Sequence, residues 1–293
     1  MSTVRLFPLT AGSFYEYRNR LIKLKGMKLP YFLSEGMRIH YNVEGKGIPF
    51  VIPSYDYEGR REGLGLTDDL IKAGYQVIGF DFRGSGQSQP ATDPSQLRAG
   101  YAVRDCVALL DSLGVKEKAY FMGYSQGSGH SLCMALTHPE RVRGLVLGGT
   151  GVGALSMAGL FFKSALLTRQ RLVPWGENLT RNAKSVGEKQ VKYWETYVEA
   201  LQQDALEYGN LEAVTVPTII LVGDGDSTTD SAAFYVTQML EKRLPNAWRI
   251  VIEGTNHMTC AADPRFKEAV LAFLKQQSGR KTHQGGKRNG SCS

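Results

Sequence analysis

Gly123-Tyr124-Ser125-Gln126-Gly127 decides how this chain is read. Upstream, Lys118 to Met122 reads as a short buried strand, and downstream Ser128 to Thr137 reads as a helix with apolar Leu132, Met134 and Leu136. Gly-x-Ser-x-Gly between a strand and a helix puts a serine hydroxyl on a sharp, exposed turn. Glycines on either side are required because a β-carbon there would meet neighbouring backbone. Ser125 is therefore a candidate nucleophile, provided that a base and an acid lie within reach. The chain has five histidines. His40 lies in a strand-like stretch, His130 in the helix after the serine, His138 beside Pro139 at a helix end and His283 in a polar terminal stretch. His257 remains, in the loop Glu253 to His257 after the apolar run Trp248 to Ile252. A carboxylate is offered by Asp224 or Asp226, where the β-branched run Thr218 to Val222 ends. The chain order Ser, Asp, His suits a nucleophile on such a strand-to-helix turn.

At this point the sequence resembles the α/β-hydrolase superfamily over roughly residues 35 to 276. Asp81-Phe82-Arg83-Gly84-Ser85-Gly86-Gln87-Ser88 is similar to the Asp-x-Arg-Gly-x-Gly-x-Ser loop of the capped members. Pro139 to Leu147 is similar to the passage after their nucleophile helix, and Gly223-x-x-Asp226 and Gly254-x-x-His257 to their acid and base loops. The resemblance implies a mostly parallel central sheet with helices on both faces and a helical cap insertion. It implies Ser125, Asp226 and His257 as the catalytic residues, with Asp224 bracing the acid loop. It also implies an oxyanion hole made by the backbone N-H groups of Tyr55 and Gln126. Relatives often carry His-Gly where this chain has Pro53-Ser54, a departure at the strand leading to Tyr55. A serine nucleophile separates the chain from the epoxide hydrolases and haloalkane dehalogenases that share the Asp-x-Arg-Gly loop and use aspartate.

With 293 residues and 42% hydrophobic content, the chain can bury one large core. No stretch reaches the roughly 18 uninterrupted apolar residues of a membrane span. The four cysteines show no CxxC or paired spacing, and the early residues Arg5, Glu16, Arg18 and Arg20 interrupt any signal-peptide core. A cytoplasmic setting, with no metal and no organic cofactor, is the expectation. The net charge of +7 draws on Arg280, Lys281, Lys287 and Arg288 in a Gly/Ser-rich terminal stretch with no acidic partner. A solvated tail is expected there, not a nucleic-acid arm, because no basic patch with stacking aromatics accompanies it.

Strand-like segments fall near Arg38 to Val43, Phe50 to Ile52, Gln76 to Phe80, Ala119 to Met122, Leu145 to Leu147, Thr218 to Val222 and Arg249 to Ile252. Helical patterns include Val103 to Leu113, Ser231 to Leu244 and Arg265 to Lys275. Alternating strands and helices imply a mostly parallel sheet. The division expected is an extension over 1–34, a core from 35–150 and 213–276, a helical cap at 151–212 and a flexible basic tail at 277–293. Phe161, Phe162, Trp175 and Trp194 of the cap are candidate lining residues of a hydrophobic substrate pocket. The function expected is hydrolysis of an ester or thioester of a small to medium hydrophobic molecule. The alternatives are a lyase, C-C bond cleaver or cyclase, and a ligand-binding receptor, on the same scaffold. The sequence leaves the oligomeric state open.

Overall fold

A computed structural model describes residues 31–54, 56–91, 93–97, 99–151, 188, 191–193, 195–196, 210–228 and 233–284. Among these residues eight strands form one sheet: β1 (Tyr31–Ser34), β2 (Met37–Gly45), β3 (Ile48–Ser54), β4 (Tyr75–Asp81), β5 (Ala119–Tyr124), β6 (Val142–Gly148), β7 (Thr218–Gly223) and β8 (Ala247–Ile252). Their order is β1-β2-β4-β3-β5-β6-β7-β8. The first two strands are a hairpin that joins β4 antiparallel, and every pairing from β4 to β8 is parallel. Glu35 and Gly36 turn the hairpin with φ of 45° and 80°, the left-handed pair that a two-residue turn needs.

Among the described residues, six helices cover the sheet: α1 (Tyr57–Leu64), α2 (Thr67–Lys72), α3 (Ala99–Ser112), α4 (Gln126–Thr137), α5 (Ala233–Arg243) and α6 (Pro264–Gln284). Successive strand residues serve opposite faces because the side-chain period is two. Val51, Phe121, Leu145 and Ile220 join Leu109, Leu132 and Leu240 of α3, α4 and α5 on one side. Phe50, Met122, Val146 and Ile219 join Leu70, Phe266 and Val270 of α2 and α6 on the other. The central strands are thus apolar at nearly every position, the pattern of a sheet buried on both faces. Truncating one such side chain, Phe121, to alanine costs about 3–5 kcal/mol in a core of this kind.

All seven expected strands are present. β1 is additional, so the division at 34 falls inside a hairpin and the last four residues of the expected extension belong to the sheet. The helix expected over Arg265 to Lys275 runs on to Gln284, and Gln277 is buried. The boundary of the expected tail at 277 therefore falls inside α6. Residues 285–293, most of the expected cap, and Phe161, Phe162, Trp175 and Trp194 lie outside the described residues. Among the described residues no helix is long and apolar enough to cross a membrane, and no group of three or more His, Cys, Asp or Glu could hold a metal ion.

Candidate active site

The strands β5, β7 and β8 all end at one edge of the sheet, and each is followed by one of the candidate residues. Ser125 joins β5 to α4 with φ 54° and ψ −117°. A non-glycine residue in this region is strained, and it persists only where its surroundings leave no alternative. They leave none here. A β-carbon on Gly123 would overlap the carbonyl of Gly127, and one on Gly127 would stand 2.6 Å from the carbonyl oxygen of Pro53. The turn is further fixed by the Ser125 N-H, which donates to the Gly148 carbonyl at 2.8 Å.

Ser125 Oγ lies 2.9 Å from Nε2 of His257. Nδ1 of His257 lies 3.3 Å from Oδ1 of Asp226, whose side chain is fully buried while that of the histidine is 21% exposed. Tyr124 holds this histidine from beneath. Its hydroxyl donates to the His257 carbonyl at 2.7 Å, and the two rings stand 5.3 Å apart. Gly149 completes the seat, because a β-carbon there would stand 3.0 Å from Cε1 of the imidazole. The structure brings Ser125, Asp226 and His257 together from positions up to 132 residues apart.

The loops that carry the acid and the base are joined to each other. The Gly225 N-H donates to the Thr255 carbonyl at 2.9 Å, and the Thr255 hydroxyl donates to the Ile252 carbonyl at 2.7 Å. Asp224 accepts from the N-H groups of Gly225 and Thr255 at 3.0 and 3.2 Å. Backbone donors, that of Gly254 foremost, hold its carboxyl below the usual carboxylate range. Asp224 is thus a brace across the two loops.

The expected oxyanion site is described on one side. Gln126 opens α4 and is buried, whereas Tyr55 lies outside the described residues. Both flanks of position 55 are fixed nonetheless. The Ser54 carbonyl accepts from the Phe82 N-H at 2.8 Å, and the Tyr57 N-H donates to Asp81 Oδ1 at 2.7 Å. Proline at 53 is tolerated because β3 pairs with β5 only through Phe50 and Val51, so the missing N-H falls beyond that ladder.

Two neighbours of the site carry no obvious sequence signal. Tyr193, from the inserted segment, is buried, and its hydroxyl accepts from Gln126 Nε2 at 2.7 Å. His130 lies one turn along α4, where its Nδ1-H donates to the Gln126 carbonyl at 3.1 Å and its ring lies 4.0 Å from that of Phe82. Burial pushes its pKa down to about 3. Cys260 sits near the base loop, but burial raises its thiol to about 11, so it is inert as a nucleophile.

The sheet order, the strained serine turn and the helices on both faces define an α/β-hydrolase fold. A family model described as alpha/beta hydrolase fold matches residues 60–187, less than half of the chain. Among curated proteins, the chain is 34% identical over 130 residues to a 2-hydroxy-6-oxononadienedioate/2-hydroxy-6-oxononatrienedioate hydrolase of Escherichia coli O81 (strain ED1a). That match covers 41% of this chain and 43% of the relative, so the chain spans less than half the length of the relative it matches. Among solved structures, the enol-lactonase of Burkholderia xenovorans LB400 superimposes with a TM-score of 0.61 at 17% identity, over 84% of this chain and all of that one. An esterase of Exiguobacterium antarcticum does so with a TM-score of 0.62 at 19% identity, over 85% of this chain and all of the other. At such identities the two structures speak for the fold alone.

Proposed function

We propose that this protein is a serine hydrolase in which Ser125 is the nucleophile, His257 the general base and acid, and Asp226 the group that orients the imidazole. The observation that carries the reading is the contact chain from Ser125 Oγ to His257 Nε2 at 2.9 Å and from Nδ1 to Asp226 Oδ1 at 3.3 Å, built on a strained turn. Ser125 Oγ attacks the substrate carbonyl while His257 Nε2 takes its proton. The backbone N-H groups of Gln126 and Tyr55 receive the charge that develops on the carbonyl oxygen. Collapse of the tetrahedral adduct breaks the bond to the leaving group, which takes the proton from His257. Water then gives a proton to His257 and attacks the acyl-enzyme, and Ser125 recovers its proton as the acid product leaves. Asp226 stabilises the imidazolium formed in each half.

The substrate proposed is an ester or thioester with a hydrophobic acyl group, a reading supported by the apolar composition of the sequence Ala154 to Leu167. The free thiols of Cys106, Cys133 and Cys260 support a reducing compartment. The identity to the oxononadienedioate hydrolase favours a second reading, in which the bond broken is C-C and the proton of His257 goes to a stabilised carbanion.

A fluorophosphonate probe followed by a panel of acyl esters, from acetate to octanoate, and a vinylogous 1,5-diketone tests these readings. Labelling at Ser125 that disappears in Ser125→Ala, with ester turnover rising with acyl length, is expected. Each buried methylene adds about 0.8 kcal/mol until the pocket is full. No labelling of the folded wild type, or undiminished turnover in folded Ser125→Ala, overturns the proposal. Labelling with turnover of the diketone alone selects the C-C reading.

A further inference from the structure

The Gln126 side chain is tied to a part of the molecule that a helix N-terminus does not need. Its Nε2 donates to the Tyr193 hydroxyl at 2.7 Å, and both residues are buried. The main-chain carbonyl of Gln126 is held by His130 Nδ1-H at 3.1 Å. Beside it lies a cleft of about 10 Å³, room for a single water, bordered by Phe82, Arg83, Tyr101, Gln126, His130 and Tyr193. Tyr193 belongs to the segment inserted after β6, where Val191 packs with it against the core that α4 lies on. The residue after the candidate nucleophile is thus gripped by the insertion through one hydrogen bond.

We propose that Tyr193 is a positioning residue for the reaction: by accepting from Gln126 Nε2 it fixes the first residue of α4, and with it the direction of the Gln126 N-H that receives the oxyanion. The inference rests on the serine-hydrolase reading above. The physical basis is that ψ of Ser125 and φ of Gln126 set the plane of the peptide between them. Ser125 sits in a strained region with no broad energy well of its own, so the peptide direction depends on what holds residue 126. A side chain anchored at its far end removes the rotation about the Cα that would swing the N-H. An oxyanion donor contributes fully only when it is aimed before the charge appears. His130, kept neutral by burial, serves the same residue from within α4.

The test is a double-mutant cycle with Tyr193→Phe and Gln126→Met, read by the rate of Ser125 labelling with a fluorophosphonate and by kcat and KM on the best ester. Tyr193→Phe removes one oxygen and keeps the ring. It is expected to lower the labelling rate and kcat about tenfold with KM within about twofold, since a slightly misaimed donor costs less than a missing one. Gln126→Met, which keeps the backbone N-H, is expected to give the same loss. Tyr193→Phe is then expected to add nothing in the Gln126→Met background. An unchanged rate in Tyr193→Phe or in Gln126→Met, with the wild type labelled, overturns the positioning role and leaves the hydrolase reading standing. Losses that multiply in the double variant also overturn it, because Tyr193 then acts by packing alone. If Tyr193→Phe does not fold, Gln126→Met decides by itself. A folded wild type that is never labelled overturns the nucleophile reading and this role together.

Discussion

Among the described residues two Asp-His pairs occur, and the same two residue types are set in different surroundings. Asp81 and His40 lie at β4 and β2, 3.1 Å apart, with side chains 1% and 3% exposed. Both oxygens of Asp81 are engaged: Oδ1 accepts from the Tyr57 N-H at 2.7 Å, and Oδ2 from the Gln87 N-H at 2.7 Å and His40 Nδ1. The His40 backbone is fixed as well, through its N-H to Ser88 Oγ, whose hydroxyl donates to the Asp81 carbonyl. Asp226 is equally buried, but its histidine reaches a serine hydroxyl at the sheet edge and is 21% exposed. A carboxylate whose lone pairs are taken by backbone donors joins segments of chain. One that faces an imidazole with a hydroxyl beyond it can assist proton transfer.

The contrast is broken or sharpened most by exchanging each aspartate for its amide. Asp226→Asn is expected to lower kcat by about 10⁴-fold, since the amide favours the wrong imidazole tautomer, with little change in melting temperature. Steady-state kinetics and a thermal melt on the same preparation check it. If Asp81→Asn lowers kcat as far, the two pairs are not distinct in kind.

Asp81→Asn is expected to act on stability instead. It weakens charge-assisted bonds to one buried and one part-buried N-H group, worth up to about 1.5–3 kcal/mol each, so urea midpoints should fall while kcat per folded molecule stays within a few-fold. A midpoint equal to that of the wild type counts against the joint.

His130 extends the comparison to a buried histidine with no carboxylate beside it. Its pKa in the folded protein is lowered to about 3, so below the unfolded value of about 6.5 the unfolded chain binds a proton that the folded chain does not. Stability is therefore fully present above about pH 6.5 and is lost as pH falls towards 3, by up to about 1.4 kcal/mol per unit. Urea unfolding of the wild type and of His130→Asn at pH 7 and pH 5 measures this, and the variant should show the smaller fall. Least affected should be Asp224→Asn, whose amide oxygen still accepts from Gly225 and Thr255. A loss in kcat below about tenfold is expected, because the backbone bonds of the brace are weakened and none to the imidazole is touched.

Much of this was legible because parallel strands buried on both faces read as continuous apolar runs, as in Thr218 to Val222. The strand Tyr31–Ser34 was not, being four residues long with Leu33 turned to solvent. The helices Tyr57–Leu64 and Thr67–Lys72 were missed for their length and for the charges and glycines of the first. The helix end at Gln284 was hidden because Gln276, Gln277, Ser278 and Gly279 carry no apolar period. At the site, Ser125 and His257 could be picked out by their places after strand ends, as could Asp224 and Asp226 together, between which only the family resemblance chose Asp226. The tie between Gln126 and Tyr193 could not, since a bond spanning 67 positions leaves no local pattern. His130 had one visible cue, its place four residues after Gln126, which points its ring back at that carbonyl.

The serine turn also bears on how this protein can change over generations. Its φ of 54° suits glycine, not serine, and a non-glycine residue held in such a region costs on the order of 1–3 kcal/mol. Ser125→Gly therefore relaxes the backbone while deleting the hydroxyl. Selection for robustness alone would drift towards that exchange, and a lineage that retains serine there is under pressure from something other than folding.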